Sequence, residues 1–131
     1  MQERVDAEIA LLKGRFPELA IRPDLWCRFP EYRLPAGIWN VEVVELAFRI
    51  PAQLPGEQPY GFWVKPPLTL AGGATPGSYT PNVTIDLGAG WGQFSWAPEA
   101  WSPSPTIETI RQGANMVNFV ESFAVRLREG S

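Results

Sequence analysis

The segment on which the predicted fold depends is Trp91-Gly-Gln-Phe-Ser-Trp-Ala-Pro-Glu-Ala-Trp101-Ser-Pro-Ser-Pro105, which holds three of the six tryptophans. Tryptophan buries a large apolar surface while its indole N–H needs a partner, and proline lacks a backbone donor. We therefore predict a rigid loop that packs against the rest of the molecule. The residues before it predict a helix and a small sheet, and those after it predict a closing helix.

The composition predicts a single domain over residues 1–131. With 45% apolar residues, a chain of this length can bury a hydrophobic core. Its 14 prolines and 12 glycines follow no collagen-like period, which favours a loop-rich α+β domain. A net charge of −3 with scattered basic residues gives no electrostatic reason to expect nucleic-acid binding. No stretch approaches the ~18 apolar residues of a membrane span, and the charged start and single cysteine favour an intracellular, cytoplasmic protein.

The most informative absence is that of histidine. The chain has none, and its one cysteine is Cys27. Ser-His-Asp triads, Cys-His pairs and histidine-based metal sites are therefore excluded, and one cysteine alone cannot hold zinc or an iron–sulfur cluster. We expect neither a metal nor a cofactor. A lone thiol in an apolar strand is usually a small buried hydrophobic group, so Cys27 is not expected to be reactive.

Apolar spacing predicts the order of the elements. We expect a helix at 2–16 whose charged side chains, Arg4 and Glu8 among them, face away from its apolar stripe or flank it. In the clearest strand, residues 39–50, Val44, Leu46, Phe48 and Ile50 should face the core. The other predicted elements are strands at 19–29, 60–64 and 82–87, a Gly-lined turn at 88–92, and a final helix from near Pro105 to about Arg128. That helix carries two apolar stripes, and Gly113 between them permits a bend or a break.

Several motifs then occur in a recognisable order. A bend with Pro51, Pro55 and Pro59 precedes the short aromatic strand Pro59-Tyr-Gly-Phe-Trp-Val64. Trp91-Gly-Gln-Phe94-Ser95 follows, and Trp101-Ser-Pro103 leads into the last helix. This order resembles the ubiquitin-conjugating fold, and most closely its divergent bacterial branch. The resemblance implies an N-terminal helix, an antiparallel sheet of about four strands, a long Pro-rich aromatic loop and a C-terminal helix or helices.

The sequence departs from that family at its chemistry. In active members a cysteine precedes the Trp-x-Pro motif; the corresponding position here is near Gln93, and residues 88–100 contain no cysteine. The family's mechanism needs a thiolate, because the carrier is held as a thioester. The resemblance therefore implies a variant without the catalytic cysteine, a binding or adaptor subunit for a ubiquitin-like protein, its activating enzyme or another conjugation subunit. The expected contact residues are Trp91, Phe94, Trp96, Phe119 and Phe123. The last two lie on the second apolar stripe of the final helix, through which the chain could also form a homo-oligomer.

Two alternatives remain open at this stage. The chain is an active conjugating enzyme if its nucleophile has moved to Cys27. It is an unrelated small-ligand module, for carbohydrate for example, if Trp63, Trp91, Trp96 or Trp101 lines one exposed face and offers a stacking platform.

Overall fold

The computed structural model describes residues 2–131, which form a six-stranded antiparallel sheet with one α-helix from each end of the chain. The sheet order is β1-β2-β3-β4-β6-β5, and every neighbouring pair is antiparallel. The α+β class and the terminal helices agree with the predicted fold. The elements are α1 (Gln2–Arg15), β1 (Ala20–Ile21), β2 (Trp26–Arg33), β3 (Val43–Arg49), β4 (Phe62–Lys65), β5 (Tyr79–Ile85), β6 (Gly88–Phe94), a 3₁₀ helix (Ile110–Gln112) and α2 (Met116–Glu129).

The main core lies between one face of the sheet and the two helices. The predicted core face of β3 is confirmed, since Val44, Leu46, Phe48 and Ile50 are all buried in this core, but the strand is shorter than the predicted 39–50. Phe62 of β4 stacks between Phe94 of β6, at a centroid distance of 4.8 Å, and Phe123 of α2, at 4.3 Å. The two stacks join two strands to α2, and aromatic pairs of this kind contribute beyond the area they bury.

The predicted number of strands, about four, is too low. The predicted strand 19–29 is two strands, β1 and β2, separated by a turn. The predicted turn at 88–92 is wrong as well, because those residues belong to β6, which pairs with β4 on one side and β5 on the other. Glycine suits position 92, because a Cβ there would overlap the phenol of Tyr79 on the neighbouring strand and displace it. Two ladders of backbone hydrogen bonds thus override the usual preference of glycine for turns.

The final helix begins at Met116, well after the predicted start near Pro105. Asn115 is the N-cap residue, and its side chain accepts a hydrogen bond from the backbone N–H of Asn118 at 3.0 Å. Before it, the backbone of Gly113 packs so closely against residues 102–104 that a Cβ would not fit. The residues between Pro105 and Asn115 form an irregular, mostly exposed segment with one short 3₁₀ turn, in which Ile110 is buried. The predicted helical segment before Gly113 is therefore wrong, since only the 3₁₀ turn Ile110–Gln112 precedes this glycine.

The charged side chains of α1 also differ from expectation, because Arg4 and Glu8 are buried, with 5% and 0% of their surfaces exposed. Glu8 accepts hydrogen bonds from the Arg4 Nε at 3.2 Å and from the backbone N–H of Met116 at 2.9 Å. Arg4 also donates to the carbonyl of Ser104 at 2.7 Å. The pair thus joins α1 to the first turn of α2, where four backbone donors lack partners within the helix. None of the helices in the described part of the chain is long and apolar enough to span a membrane.

Candidate functional site

Gln93, near which the resemblance places the lost catalytic cysteine, lies within the sheet. Gln93 is in β6, opposite Trp63 of β4 and Thr80 of β5. Its neighbour Phe94 points into the main core, so the partly buried Gln93 side chain lies on the opposite face, away from the helices. The expectation that Gln93 belongs to a loop is therefore wrong, and the loop after the sheet begins at Ser95. That loop, like β6, has no thiol.

The one thiol of the chain is poorly placed for chemistry. Cys27 lies in β2, is fully buried, and belongs to the core between sheet and helices. Its Sγ contacts the carbonyl of Leu25 at 3.5 Å. Burial, with a smaller contribution from the carboxylate of Asp24, raises the pKa of the Cys27 thiol to about 12. Because the thiolate is the reactive species, this environment disfavours reaction at Cys27.

The four tryptophans proposed as stacking platforms do not share a face. Trp91 and Trp63 pack with Trp26 on the side of the sheet away from the helices. Trp96 and Trp101 instead pack against the main core. Trp91 is buried and the other three rings are half-buried, so the four do not form one exposed stacking surface.

Most of the rings expected to contact a partner are interior. Trp91, Phe94, Phe119 and Phe123 are all buried, because β6 is a central strand and α2 turns its apolar stripe onto the sheet. The expectation that they form an exposed aromatic surface is therefore wrong for these four. Trp96 is half-buried, and its indole N–H donates to the hydroxyl of Ser122 at 2.9 Å.

The two proline-containing motifs of the sequence meet at the loop that follows the sheet. The indole N–H of Trp101 donates to the carbonyl of Pro55 at 2.9 Å, and the N–H of Gly61 donates to the carbonyl of Trp96 at 2.6 Å. Pro59 is buried and Pro51 and Pro103 are half-buried. The loop is thus anchored to the bend before β4 and to α2, as predicted for a rigid packed segment.

Beside this loop lies a groove of about 430 Å³ between residues 98–101 and one face of α2. Glu99 is its single charged lining residue, and Trp101 forms part of its wall. Asn118 is exposed and Ser122 is half-buried. Neither was predicted from the sequence as a site residue, although their spacing along α2 places both on one helix face. The groove is lined by Pro98, Glu99, Ala100, Trp101, Ala114, Asn115, Asn118, Phe119 and Ser122.

Side-chain chemistry near the groove is limited. Asn115 is fully engaged, since its amide donates to the carbonyl of Ile110 at 3.2 Å while its oxygen caps α2. Ser122 in turn contacts the carbonyl of Phe119. Within residues 2–131, no group of three or more His, Cys, Asp or Glu side chains is arranged to hold a metal ion.

An N-terminal helix, an antiparallel sheet and an anchored Pro- and Trp-containing loop that leads to a C-terminal helix define an α+β protein with the features of an E2-like fold. The chain belongs to prokaryotic E2 family E, which matches it over residues 15–121, from the end of α1 into α2. Comparison with curated proteins and with solved structures gives no match. Family membership indicates a component of a bacterial ubiquitin-like conjugation system.

Proposed function

We propose that this protein is a non-catalytic binding or adaptor subunit of a bacterial ubiquitin-like conjugation system, with residues 1–131 acting as one domain. The observation that carries the proposal is the state of the thiol. Cys27, the only cysteine, is fully buried and has a pKa raised to about 12, and the loop after β6 contains none. A conjugating enzyme needs an accessible thiolate to hold its carrier as a thioester. A cytoplasmic location forms part of the proposal, which an unpaired cysteine supports.

The groove between residues 98–101 and α2 is the contact surface that we propose. We propose this groove in place of the buried rings, because it is formed in part by the exposed residues of the same aromatic loop. Trp101 lines the groove and also packs against the main core. Its walls are largely apolar, and Glu99 gives it a single negative charge. A partner that inserts an apolar segment and offers a cation to Glu99 would match it. The partner is a ubiquitin-like protein, its activating enzyme or another conjugation subunit.

The test combines the chain with a bacterial ubiquitin-like protein, its activating enzyme and ATP. We expect a complex on size-exclusion chromatography and no reductant-sensitive band on gels. Asn118→Arg should weaken that complex, because it places a bulky cation at the groove. Val125→Arg makes the same kind of change at an exposed position of α2 outside the groove and is the control.

Three outcomes would count against the proposal. A reductant-sensitive adduct that is lost in Cys27→Ser would show that the chain carries a thioester. Equal weakening by both arginine variants would show that the groove is not the contact surface. If the chain co-elutes with none of the conjugation components, the proposed adaptor function is refuted and only the assignment of the fold stands. The elution volume of the chain alone also reports whether it forms a homo-oligomer.

A further inference from the structure

The face of the sheet away from the helices has a small hydrophobic cluster of its own. Trp26, Ala47 and Trp91 are its buried members. Beside it is a pocket of about 380 Å³, which we call the outer-face pocket. It is lined by Ala20, Arg22, Trp26, Arg28, Glu45, Lys65, Leu87 and Trp91. Because it lies across the sheet from the helices, it is separate from the groove beside α2.

The outer-face pocket has an excess of positive charge. Two of its three cations are paired, since Arg22 contacts Asp24 at 2.8 Å and Arg28 contacts Glu45 at 3.3 Å. Lys65 forms no ion pair with any residue of the described chain. Its ammonium group lies 5.8 Å from the centre of the Trp91 ring. The pocket therefore presents one uncompensated ammonium beside a buried indole.

Trp91 has an unmet hydrogen-bonding requirement. The side chain is 1% exposed, and its Nε1 is buried with no hydrogen-bond partner. By contrast, the indole of Trp26 in the same cluster donates to Asp86 at 3.0 Å. A buried donor without an acceptor costs free energy, so such groups in proteins are nearly always satisfied. Trp91 lines the pocket, so a ligand acceptor that reaches its Nε1 would remove that cost.

Lys65 and Trp91 are held together by the sheet. The last pair of β4 and β6 is Val64 and Gly92, and Lys65 and Trp91 directly follow that pair on the two strands. Gly90, which has a φ of +88°, leaves space for the Lys65 side chain, whose Cε lies 3.8 Å from where a Cβ would be. The two donors are thus positioned by backbone pairing rather than by a mobile loop.

We propose that the outer-face pocket binds a carboxylate, with the ammonium of Lys65 and the indole N–H of Trp91 as its two donors. A carboxylate offers two acceptor oxygens and one negative charge, which matches two donors and one uncompensated cation. A dianion fits less well, because Glu45 also lines the pocket. The carboxylate belongs either to a small organic acid or to the C-terminus of a peptide. This inference does not depend on the proposed adaptor function or on the groove beside α2.

The experiment is an NMR titration of the ¹⁵N-labelled full chain that follows the indole N–H signals, assigned with single Trp→Phe variants. The probes are sodium acetate, a short neutral peptide with a free C-terminus and the same peptide amidated, all at fixed pH and chloride-balanced ionic strength. We expect a saturable shift of the Trp91 signal with a carboxylate probe and none with the amide. The signal of Trp63, whose Nε1 is also buried and unpartnered but which does not line the pocket, should stay in place.

Lys65→Gln should raise the Kd of the responding probe at least about tenfold, because it removes the charged donor. Lys13→Gln makes the same change on the exposed surface of α1 and should leave the Kd unchanged. A response to acetate identifies a small acid as sufficient, and a response to the free peptide alone identifies a C-terminus. The proposal is overturned if neither carboxylate shifts Trp91 saturably, if Trp63 shifts in parallel, or if Lys65→Gln binds as tightly as the original chain.

Discussion

Removal of the buried Glu8 side chain is the sharpest test of how this fold is held together. In Glu8→Ala, the backbone N–H of Met116 loses its acceptor at the start of α2, and the buried guanidinium of Arg4 loses its carboxylate. Arg4 keeps its bond to the carbonyl of Ser104, so the guanidinium is not left without any acceptor. An unsatisfied buried donor costs about 1–3 kcal/mol, and breaking a buried ion pair from one side costs about 3–5 kcal/mol. These terms overlap, and we expect the free energy of unfolding to fall by about 3–5 kcal/mol.

Urea unfolding followed by tryptophan fluorescence measures this change. With an m-value of about 2 kcal/mol/M for a domain of this size, a loss of about 4 kcal/mol lowers the midpoint by about 2 M. Glu8→Gln separates the two causes, because its amide oxygen still accepts from Met116 while the charge is gone. We expect it to cost about 1–2 kcal/mol, since an ionised carboxylate at this buried position is itself costly. Asp6→Ala removes an exposed carboxylate of the same helix and should cost no more than about 0.5 kcal/mol. If Glu8→Ala is no more harmful than Asp6→Ala, the link between α1 and α2 does not stabilise the fold.

Three further predictions concern single groups. Burial raises the pKa of Glu8 above its ordinary value of 4.5 despite the hydrogen bonds from Met116 and Arg4. The folded state then binds the proton more tightly than the unfolded state, so stability falls as pH rises from about 4.5 through the raised pKa of the folded state and levels off above it. A Glu8→Gln variant should lack that slope in urea titrations. The thiol of Cys27, with a pKa of about 12, should react with a disulfide reagent at least about 10³-fold more slowly in the native protein than in urea, and rates within about tenfold of each other would contradict its burial. Gly92→Ala should cost about 1–3 kcal/mol in the same urea assay by displacing the Tyr79 phenol, whereas Gly72→Ala, with open space around it, should be nearly neutral.

Sequence patterns that repeat over neighbouring residues were sufficient to predict part of this fold. The terminal helix α1 is within one residue of its prediction at the C-terminal end, and the alternation from Val44 to Ile50 identified the core face of β3. The proline bend and the Trp101 motif were recognised as parts of one arrangement, and the structure joins them through Pro55. These features depend on periodic side-chain burial or on residues with strict backbone needs, both of which are visible in a short window.

Features that depend on partners far away in the sequence, such as strand pairing and long-range hydrogen bonds, could not be predicted from short stretches of sequence. Residues 88–92 have the composition of a turn, yet two flanking ladders make them part of a central strand. The sequence by itself determined the class, the apolar faces and the absence of a usable thiol near Gln93. Only the tertiary structure decided that Trp91 and Phe94 are interior and that Glu8 serves an N–H 108 positions away. The physical reason is that a backbone donor or a strand edge can be satisfied by any suitably placed group, and composition does not say which one the fold brings to it.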